Sequence, residues 1–323
     1  IIHVDDAVLS APPIAFFMKF AIRLPANILY KALTSAWEAT LPAAKSVHFA
    51  REVDALDYDY LWVAEHIVQH PKLMSSMGAK FYEGVSAAGF LLGATQRIHL
   101  LTYVCPIPYH NPLVWAKAIA SVDHLSGGRL ALGLAAGHLR REFEAIGVSF
   151  ERRGAICDEY LRAMKELWTS DTPEFHGEFV SFRNMLFEPK PCQSPHPPLL
   201  IGGDAKPALR RAAALGDGWL PWQTTLGEMK GAIAYIHDQP GMQARSRPFE
   251  VFTLLAEIPE DNRLDFDRMR YPRHKEEIVD LVGRLQQAGA TGMVVHLPRT
   301  DSYDECLDWV RWFSREIIPL YRT

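Results

Sequence analysis

An acid and an imidazole stand directly after a hydrophobic stretch near the start of the chain. The segment 58–67 reads YDYLWVAEHI, so the strand-forming residues at 60–63 are followed within three positions by Glu65 and His66. An imidazole has an ordinary pKa of about 6.5, which suits proton transfer at neutral pH. A neighbouring carboxylate can orient the ring or raise its basicity. We predict that His66 transfers protons with help from Glu65; the alternatives are a rim histidine bonded to a loop carbonyl and a solvated loop carboxylate.

Other residues with useful chemistry also follow hydrophobic stretches. They are Tyr103 and Val104, Gly137 and His138, and Gly202 and Gly203. The glycine pair at 202–203 precedes the helical pattern KPALRRAAAL, and a glycine turn that leads into a helix N-terminus presents free N–H groups to a phosphate. Lys206 is a weaker candidate for the same phosphate. The segment GDGWLP at 216–221 places Trp219 or Trp222 near this site, unless both belong to the core.

The elements that must position these residues are short strands separated by helices. Strand-forming segments occur at 19–24, 58–64, 97–104, 129–136, 198–203, 217–221, 249–256 and 292–297. Apolar residues recur every three or four positions at 156–168 and 275–290, which indicates helices with one buried face. This alternation is typical of parallel strands with crossover helices. Eight such units favour an α/β fold built as one closed (β/α)8 barrel of the TIM type.

In such a barrel the carboxyl ends of all strands meet at one mouth, where the reactive groups lie. The main interruption is an insertion after strand four, at 137–150 and 171–191. Its second part alternates around Gly177 like a small hairpin. We expect one domain at 18–323, with residues 1–17 as an extension outside the fold, because MKFAIRLP at 18–25 looks like a natural start that leads into the first strand.

Composition narrows the class of protein. The chain has 323 residues, of which 48% are hydrophobic, and a net charge of −4, so it can bury a sizeable core without disulfides or metals. Mild acidity without a basic run argues against a nucleic-acid or membrane partner. The four cysteines lie far apart, which predicts free thiols in a reducing cytoplasm. HExxH, GxSxG and P-loop motifs are absent, and the histidine spacing does not suggest a metal, so we expect no metal site.

An ordered set of motifs carries a specific resemblance. Between residues 60 and 221 the chain contains, in order, YLWVAEH, HNPLVWAKAIASVDHLSGGRL, EFEAIGV, KPCQSPHPPLLIGG and GDGWLP. Together they resemble the bacterial luciferase-like superfamily of flavin and deazaflavin oxidoreductases, and the similarity runs from about Met18 to the last strand. The resemblance implies a TIM-type barrel with FMN or the 8-hydroxy-5-deazaflavin coenzyme F-420 lying across its mouth.

The resemblance also implies roles for matching residues. His66 matches the histidine after the second strand in this superfamily, and Tyr103–Val104 matches the place of a non-proline cis peptide that supports the cofactor ring. The glycines at 202–203 match a phosphate-binding turn. His138 stands where the sugar-phosphate-oxidising deazaflavin enzymes carry a glutamate acid, so the resemblance does not extend to that substrate class. His138 remains a candidate for catalysis and cofactor contact. Further candidate cofactor contacts are Gly137, Lys206 and Trp219.

We predict an F-420-dependent oxidoreductase that transfers hydride between C5 of the deazaflavin and a small organic substrate. The character of ERRGAICDEYLRAMKELW and GDGWLP favours this branch. One alternative is an FMN-dependent monooxygenase that uses reduced flavin and O2, for which AEH after the second strand is equally suitable. A second alternative is a non-catalytic barrel that binds a small ligand. Dimers are common in the superfamily, so we expect a homodimer.

Overall fold

The computed structural model describes residues 17–243, 245, 247–260 and 268–322 of the chain. Within these residues, eight strands run parallel and pair side by side in a closed ring. They are β1 (Lys19–Arg23), β2 (Tyr60–Val63), β3 (His99–Thr102), β4 (Leu130–Ala135), β5 (Leu199–Gly202), β6 (Gly218–Leu220), β7 (Glu250–Leu254) and β8 (Gly292–Val295). The ring closes where β1 pairs with β8, with Lys19 opposite Gly292. The predicted (β/α)8 barrel is confirmed, and each predicted strand segment contains one of these strands.

Helices follow the strands and surround the barrel. They are α1 (Ala43–Asp54), α2 (Gly84–Gly93), α3 (Pro112–Leu125), α4 (Arg140–Ile146), α5 (Arg153–Thr169), α6 (Lys206–Leu215), α7 (Leu226–His237), α8 (Pro240–Gln243), α9 (Lys275–Gln287) and α10 (Tyr303–Glu316). Both helical patterns of the sequence are confirmed. The predicted apolar face of α9 is buried, and Gly289 lies just beyond the helix at φ +105°, the left-handed region that glycine adopts easily.

The pleat of each strand separates two hydrophobic cores. In β1, Phe20 and Ile22 face the helices, while Ala21 faces the barrel axis. In the same way Leu61 of β2 packs against the helices and Trp62 points into the barrel. Side chains near the carboxyl ends of the strands and facing the axis therefore form the floor of the mouth.

The insertion after β4 has the predicted hairpin. Phe175–His176 pairs antiparallel with Ser181–Phe182, and the N–H of Gly177 donates to the carbonyl of Val180 at 3.0 Å. The Glu159 carboxylate of α5 accepts hydrogen bonds from backbone N–H groups of the turn, which ties the hairpin to the barrel. The first part of the insertion forms α4, which lies over the mouth.

A buried ion pair closes the first loop of the barrel. The Arg23 guanidinium at the end of β1 donates two hydrogen bonds to the Glu38 carboxylate, at 2.7 and 2.8 Å, and both side chains are fully buried. The same carboxylate accepts the N–H groups of Ala26 and Ser35. These extra donors compensate the loss of hydration of the buried Glu38 carboxylate, and they fix the loop over one side of the mouth.

Some predictions concern the chain as a whole. The cysteines are all free, with Cys105, Cys157 and Cys306 buried and Cys192 exposed, as predicted. No helix of the described ranges is long and apolar enough to cross a bilayer. The predicted extension at 1–17 lies outside the described residues except for Phe17. Met18, the residue before β1, is buried and donates its N–H to the carbonyl of Tyr321.

Candidate active site

His66 lies at the mouth of the barrel and is bound to a buried carboxylate of the insertion. Its Nδ1 is 2.9 Å from Oε2 of Glu142, a residue in the first turn of α4. The Tyr109 hydroxyl donates to the same oxygen at 2.7 Å, and the N–H of Ile67 donates to Oε1 at 2.8 Å. The loop after β2 and the 3-10 helix of Tyr109 thus converge on this carboxylate of α4, which is almost wholly removed from solvent.

These contacts determine the protonation of the site. Burial alone would raise the pKa of the Glu142 carboxyl, but the hydrogen bond and charge of His66 and the donors from Tyr109 and Ile67 outweigh it and lower the pKa. Glu142 is therefore ionised at neutral pH and can only accept. Consequently Nδ1 of His66 carries the hydrogen, and Nε2 is the ring nitrogen that remains for proton transfer.

Glu65 does not orient His66, so that prediction was wrong. Its carboxylate turns away from the mouth and lies 3.0 Å from Nε2 of His110, whose ring stacks on Trp115. It also accepts the N–H of Gly84 at 3.3 Å. The alternative of a solvated charge was wrong as well, because Glu65 is buried. The reason lies in the strand alternation: consecutive residues after β2 point to opposite sides, so only one of the pair faces the mouth.

His138 lies beside His66, as the convergence of strand ends predicted. The centroids of the two imidazole rings are 5.9 Å apart, and Phe81 packs edge-on against His66 at 4.6 Å. His138 is exposed at the mouth, yet the surrounding protein atoms lower the pKa of its imidazole, and the neighbouring His66 lowers it further. His138 is thus a neutral imidazole at physiological pH, within reach of a ligand that contacts His66.

The peptide bond between Tyr103 and Val104 is cis, as the resemblance implied. The Tyr103 ring points to the barrel axis, where it contacts Trp62 at a centroid distance of 5.2 Å and Trp222 at 6.3 Å. The Tyr103 hydroxyl is buried and has no hydrogen-bond partner among the residues that the structure describes. Buried polar groups are normally paired, so this hydroxyl indicates a place for a ligand or water.

The glycine turn after β5 is held by polar contacts with the loop that follows β6. The Asp204 carboxylate accepts the N–H groups of Trp222 and Gln223 at 2.9 and 3.1 Å. Gly203 has φ +119°, and a Cβ on Gly202 would lie 3.3 Å from Val104. The turn therefore brings bare backbone close to the cis peptide, and α6 begins just beyond it at Lys206.

Two residues predicted to contact the cofactor near this turn, Trp219 and Lys206, do not point into the mouth. Trp219 is fully buried among the outer helices, and its indole N–H donates to the carbonyl of Gly203 at 2.8 Å. It can therefore influence a ligand only through that backbone, because the residues of β6 alternate and Leu220 takes the inward position. Lys206 is exposed and its ammonium lies over the ring of Tyr235. The exposed Trp222, rather than Trp219, stands at the mouth.

Gly137 brings the β4 loop close to the insertion. It has φ +83°, and a Cβ there would lie 2.8 Å from the Phe143 ring of α4. The carbonyl of Gly137 accepts a hydrogen bond from Arg153 at 3.2 Å. Only glycine permits this approach, which seats α4 and hence Glu142 over the mouth.

These features fit a bound planar cofactor with a phosphate. The turn at 202–203 and Gly137 present backbone without side chains, the Tyr103 hydroxyl is an unused buried donor, and His66 presents one free nitrogen. The residues that would hold the ring are then the Tyr103–Val104 backbone and His138. The glycines at 202–203, with the first turn of α6, would hold the phosphate.

In the described ranges, one group of side chains has ligand atoms close enough together to bind a metal ion. Atoms of Glu65, Glu83 and His110 lie within 4.8 Å of one another. Hydrogen bonds within the chain account for these groups, because Glu65 binds His110 and Glu83 accepts the N–H groups of Val85 and Ser86 at the start of α2. The expectation that the protein uses no metal stays a prediction.

Glu142 and Tyr109 are the site residues that sequence reasoning missed. Glu142 is the first acid of the EFEAIGV motif, and Glu144 of the same motif is exposed and pairs with Arg141. Helical periodicity could have separated the two, since Phe143 and Glu142 are the buried residues of this short helix. Tyr109 lies in a short 3-10 helix without any pattern that predicts its direction.

The chain thus combines a closed parallel barrel with a histidine–carboxylate pair and a glycine turn at its mouth. The model of the luciferase-like monooxygenase family matches residues 18–292. The protein belongs to this family.

One sequence relative and two solved structures of the same fold illustrate the comparisons. The FMNH2-dependent dimethylsulfone monooxygenase of Pseudomonas putida is 34% identical over 161 residues, which is 49% of this chain and 43% of that protein. The chain thus spans less than half the length of this relative. The monooxygenase RslO1 from Streptomyces bottropensis has the same fold, with a TM-score of 0.75 and 22% identity over 94% of this chain and 100% of that chain. An F-420-dependent secondary alcohol dehydrogenase has a TM-score of 0.72 and 18% identity, over 95% and 99%.

Proposed function

We propose that the protein is an F-420-dependent oxidoreductase that transfers hydride between C5 of the deazaflavin and a small organic substrate. The observation that carries this proposal is the buried His66–Glu142 pair, in which one imidazole nitrogen is held by a carboxylate and the other is free. When bound, the deazaflavin supplies a hydride acceptor or donor. The protein must then accept or return the proton that accompanies the hydride, and the free nitrogen suits that task.

Each residue of the site has a role in this proposal. Nε2 of His66 accepts the hydroxyl proton of an alcohol that becomes a carbonyl compound, or donates it in the reverse direction. Glu142 stabilises the imidazolium that forms, as a positioning residue rather than a reacting one. His138, a neutral imidazole, can donate or accept a hydrogen bond to the substrate oxygen.

The fold likeness to an F-420-dependent secondary alcohol dehydrogenase, whose structure contains an F-420–acetone adduct, is compatible with a carbonyl or alcohol substrate. The start of α6, directly after the glycine turn, offers N–H groups for the phosphate that both cofactors share. Support for F-420 over FMN comes from the sequence motifs of the central helix and of the β6 segment.

A second candidate is an FMN-dependent monooxygenase that uses reduced flavin and O2. The similarity to the dimethylsulfone monooxygenase of Pseudomonas putida favours it, because that relative is 34% identical over 161 residues and is named for its use of FMNH2. In this case His66 and Glu142 would keep their proton-handling roles, while the oxidant and the substrate would change.

A titration separates these candidates. The purified protein is titrated with F-420 and with FMN, each oxidised and reduced, and binding is followed by cofactor fluorescence. Tight binding of F-420 with weak binding of FMN supports the first proposal. Preference for reduced FMN overturns it and supports the second. Binding of neither overturns both and leaves a non-catalytic barrel.

A further inference from the structure

Two pairs of consecutive residues in neighbouring loops are joined by polar contacts. Glu65 and His66 follow β2, and Tyr109 and His110 follow β3. Nδ1 of His66 and the Tyr109 hydroxyl both bind Oε2 of Glu142, at 2.9 and 2.7 Å. The Glu65 carboxylate binds Nε2 of His110 at 3.0 Å. Two peptide links and three polar contacts thus close a circle, which we call the five-residue network.

The contact between Glu65 and His110 lies on the side of this network that faces away from the mouth. The Glu65 side chain is fully buried, and that of His110 is 13% exposed. The His110 ring stacks on Trp115 of α3 at a centroid distance of 4.4 Å and an interplanar angle of 3°. The other oxygen of Glu65 accepts the N–H of Gly84, the first residue of α2, at 3.3 Å. Both partners are therefore anchored to helices that surround the barrel.

This anchor limits where Tyr109 can lie. Consecutive Cα atoms are about 3.8 Å apart, so the fixed place of His110 restrains its neighbour in the chain. Burial, followed by the hydrogen bond to Glu142, raises the pKa of the Tyr109 phenol far above its usual range, so the hydroxyl keeps its proton and donates. The Glu65–His110 contact does not touch the imidazole of His66. It keeps a second donor on the oxygen that this imidazole binds.

We propose that Glu65 and His110 are positioning residues of the active site. Their contact holds the loop after β3 against the loop after β2, so that the donors of both loops meet at one oxygen of Glu142. Polar contacts in one network support one another, so the loss of one should loosen the others. The inference rests on the proposed function, because it adds two residues to the structure that holds the proton-transferring pair.

The test measures how fast the hydrogen on Nδ1 of His66 exchanges with water in protein without cofactor, by NMR of ¹⁵N-labelled histidine side chains. His110→Phe keeps a flat ring on Trp115 and removes both nitrogens. We expect the exchange to become about tenfold faster, because the contact with Glu142 opens more often. Glu65→Gln keeps the shape of the side chain, should act in the same direction, and serves if His110→Phe folds poorly. Unchanged exchange in these variants overturns the inference.

Glu83→Gln is the matched control. The Glu83 carboxylate also lies close to His110, but it accepts the N–H groups of Val85 and Ser86 at the start of α2 and is not part of the five-residue network. Glutamine keeps an oxygen for these N–H groups, so the exchange at His66 should stay the same. Equal acceleration in the control and in the network variants would reveal a general loosening and overturn the inference.

A double variant asks whether the contacts act together. Tyr109→Phe opens the five-residue network at its contact with Glu142. Adding His110→Phe to this variant should then change the exchange at His66 by less than about twofold, since the two contacts are coupled. An effect as large as in the otherwise unchanged protein would show that the two contacts act independently, which contradicts the positioning role.

Failure of this inference can be told apart from failure of the proposed function. The exchange measurements need no cofactor, so the positioning role can hold even if the protein takes up neither F-420 nor FMN. Conversely, a protein that binds F-420 but shows unchanged exchange in the variants keeps the proposed function and loses the two positioning residues.

Discussion

His66 presents a single nitrogen to the mouth because Glu142 occupies the other. The carboxylate is buried, ionised and bound by three kinds of donor, so it has little freedom to move. Such a partner fixes both the ring orientation and the tautomer of a histidine. The pair is thus organised before any ligand arrives.

The substitution Glu142→Gln should preserve the shape of the site and remove the negative charge of the carboxylate. We expect kcat to fall about 10–100-fold, because the imidazolium loses its stabilising carboxylate. The measurement is steady-state turnover with the preferred cofactor, together with ¹⁵N NMR of the histidine side chains. The spectrum should change from one tautomer of His66 to a mixture, which a merely structural role of Glu142 would not cause.

Glu144→Gln is the control for this variant. Glu144 lies on the same helix, is exposed and pairs with Arg141 on the surface. It should leave both turnover and the His66 spectrum unchanged. The positioning role is refuted if Glu142→Gln retains full activity and the wild-type spectrum.

At the scale of elements, the turn between β5 and α6 depends on glycine. Gly203 combines a φ of +119° with a potential Cβ position 3.1 Å from Ala208. An L side chain there would shift the backbone that we assign to the phosphate. The carbonyl of the same residue is held by Trp219, so the turn cannot relax freely.

Gly203→Ala should weaken cofactor binding about tenfold while the barrel stays folded, since the strain is confined to one turn. The measurement is the cofactor titration described above. Gly231→Ala, at an exposed position inside α7 with open space around it, is the matched glycine control. It should bind the cofactor normally and gain about 0.5–1 kcal/mol of stability. Normal binding by Gly203→Ala would remove the phosphate role from this turn.

Asp54 joins α1 to the loop before β3, and this contact makes stability depend on pH. Partial burial favours the protonated acid, but the backbone N–H groups of Ile98, Gln96 and Arg97 donate to the carboxylate and hold its pKa below the ordinary 3.8. A lowered pKa in the folded state stabilises the protein above the unfolded value. This contribution disappears as the pH falls through the folded value.

Asp54→Asn should therefore reduce the free energy of unfolding by about 1–3 kcal/mol at neutral pH. The difference from the wild type should shrink as the pH falls below about 4, because the unfolded chain binds the proton first, and it should vanish once the folded carboxylate is protonated as well. Urea unfolding at a series of pH values measures both quantities. A difference that is constant across this range would show that the contact does not depend on the charge.

At the scale of the whole molecule, the barrel is closed and its helices cover it, yet two adjacent helices leave apolar side chains exposed. Phe90 of α2 is 64% exposed, and Val114 and Leu125 of α3 are 70% and 85% exposed. Gly89 lies against Val122, so the two helices pack closely. Large exposed apolar residues on one side of a molecule are typical of interaction surfaces.

We propose that the protein is a homodimer that buries this surface of α2 and α3. Phe90→Glu should convert it to a monomer, because a buried carboxylate in an apolar interface is costly. Sedimentation velocity measures the change. Leu186→Glu, an equally drastic change on the insertion, should leave the dimer intact. A monomeric wild-type protein, or a dimer that survives Phe90→Glu, would contradict the proposal.

The sequence by itself determined the elements and their order. The strands, the helical face of α9, the hairpin around Gly177 and the free cysteines all follow from local patterns, because strand alternation, helical periodicity and turn residues act over a few positions. It also placed His66, His138 and the glycines at 202–203 at one mouth, since strand ends in a parallel barrel converge.

Only the tertiary structure decided which side chains meet. Glu65 is adjacent to His66 in sequence but faces His110, whereas Glu142 is 76 residues away and binds His66. Trp219, a predicted cofactor contact, is likewise buried outside the barrel, whereas Trp222 stands at the mouth. The direction of a side chain at the end of a strand depends on the pleat and on the loop that packs over it. Partners supplied by distant loops leave no local trace in the sequence.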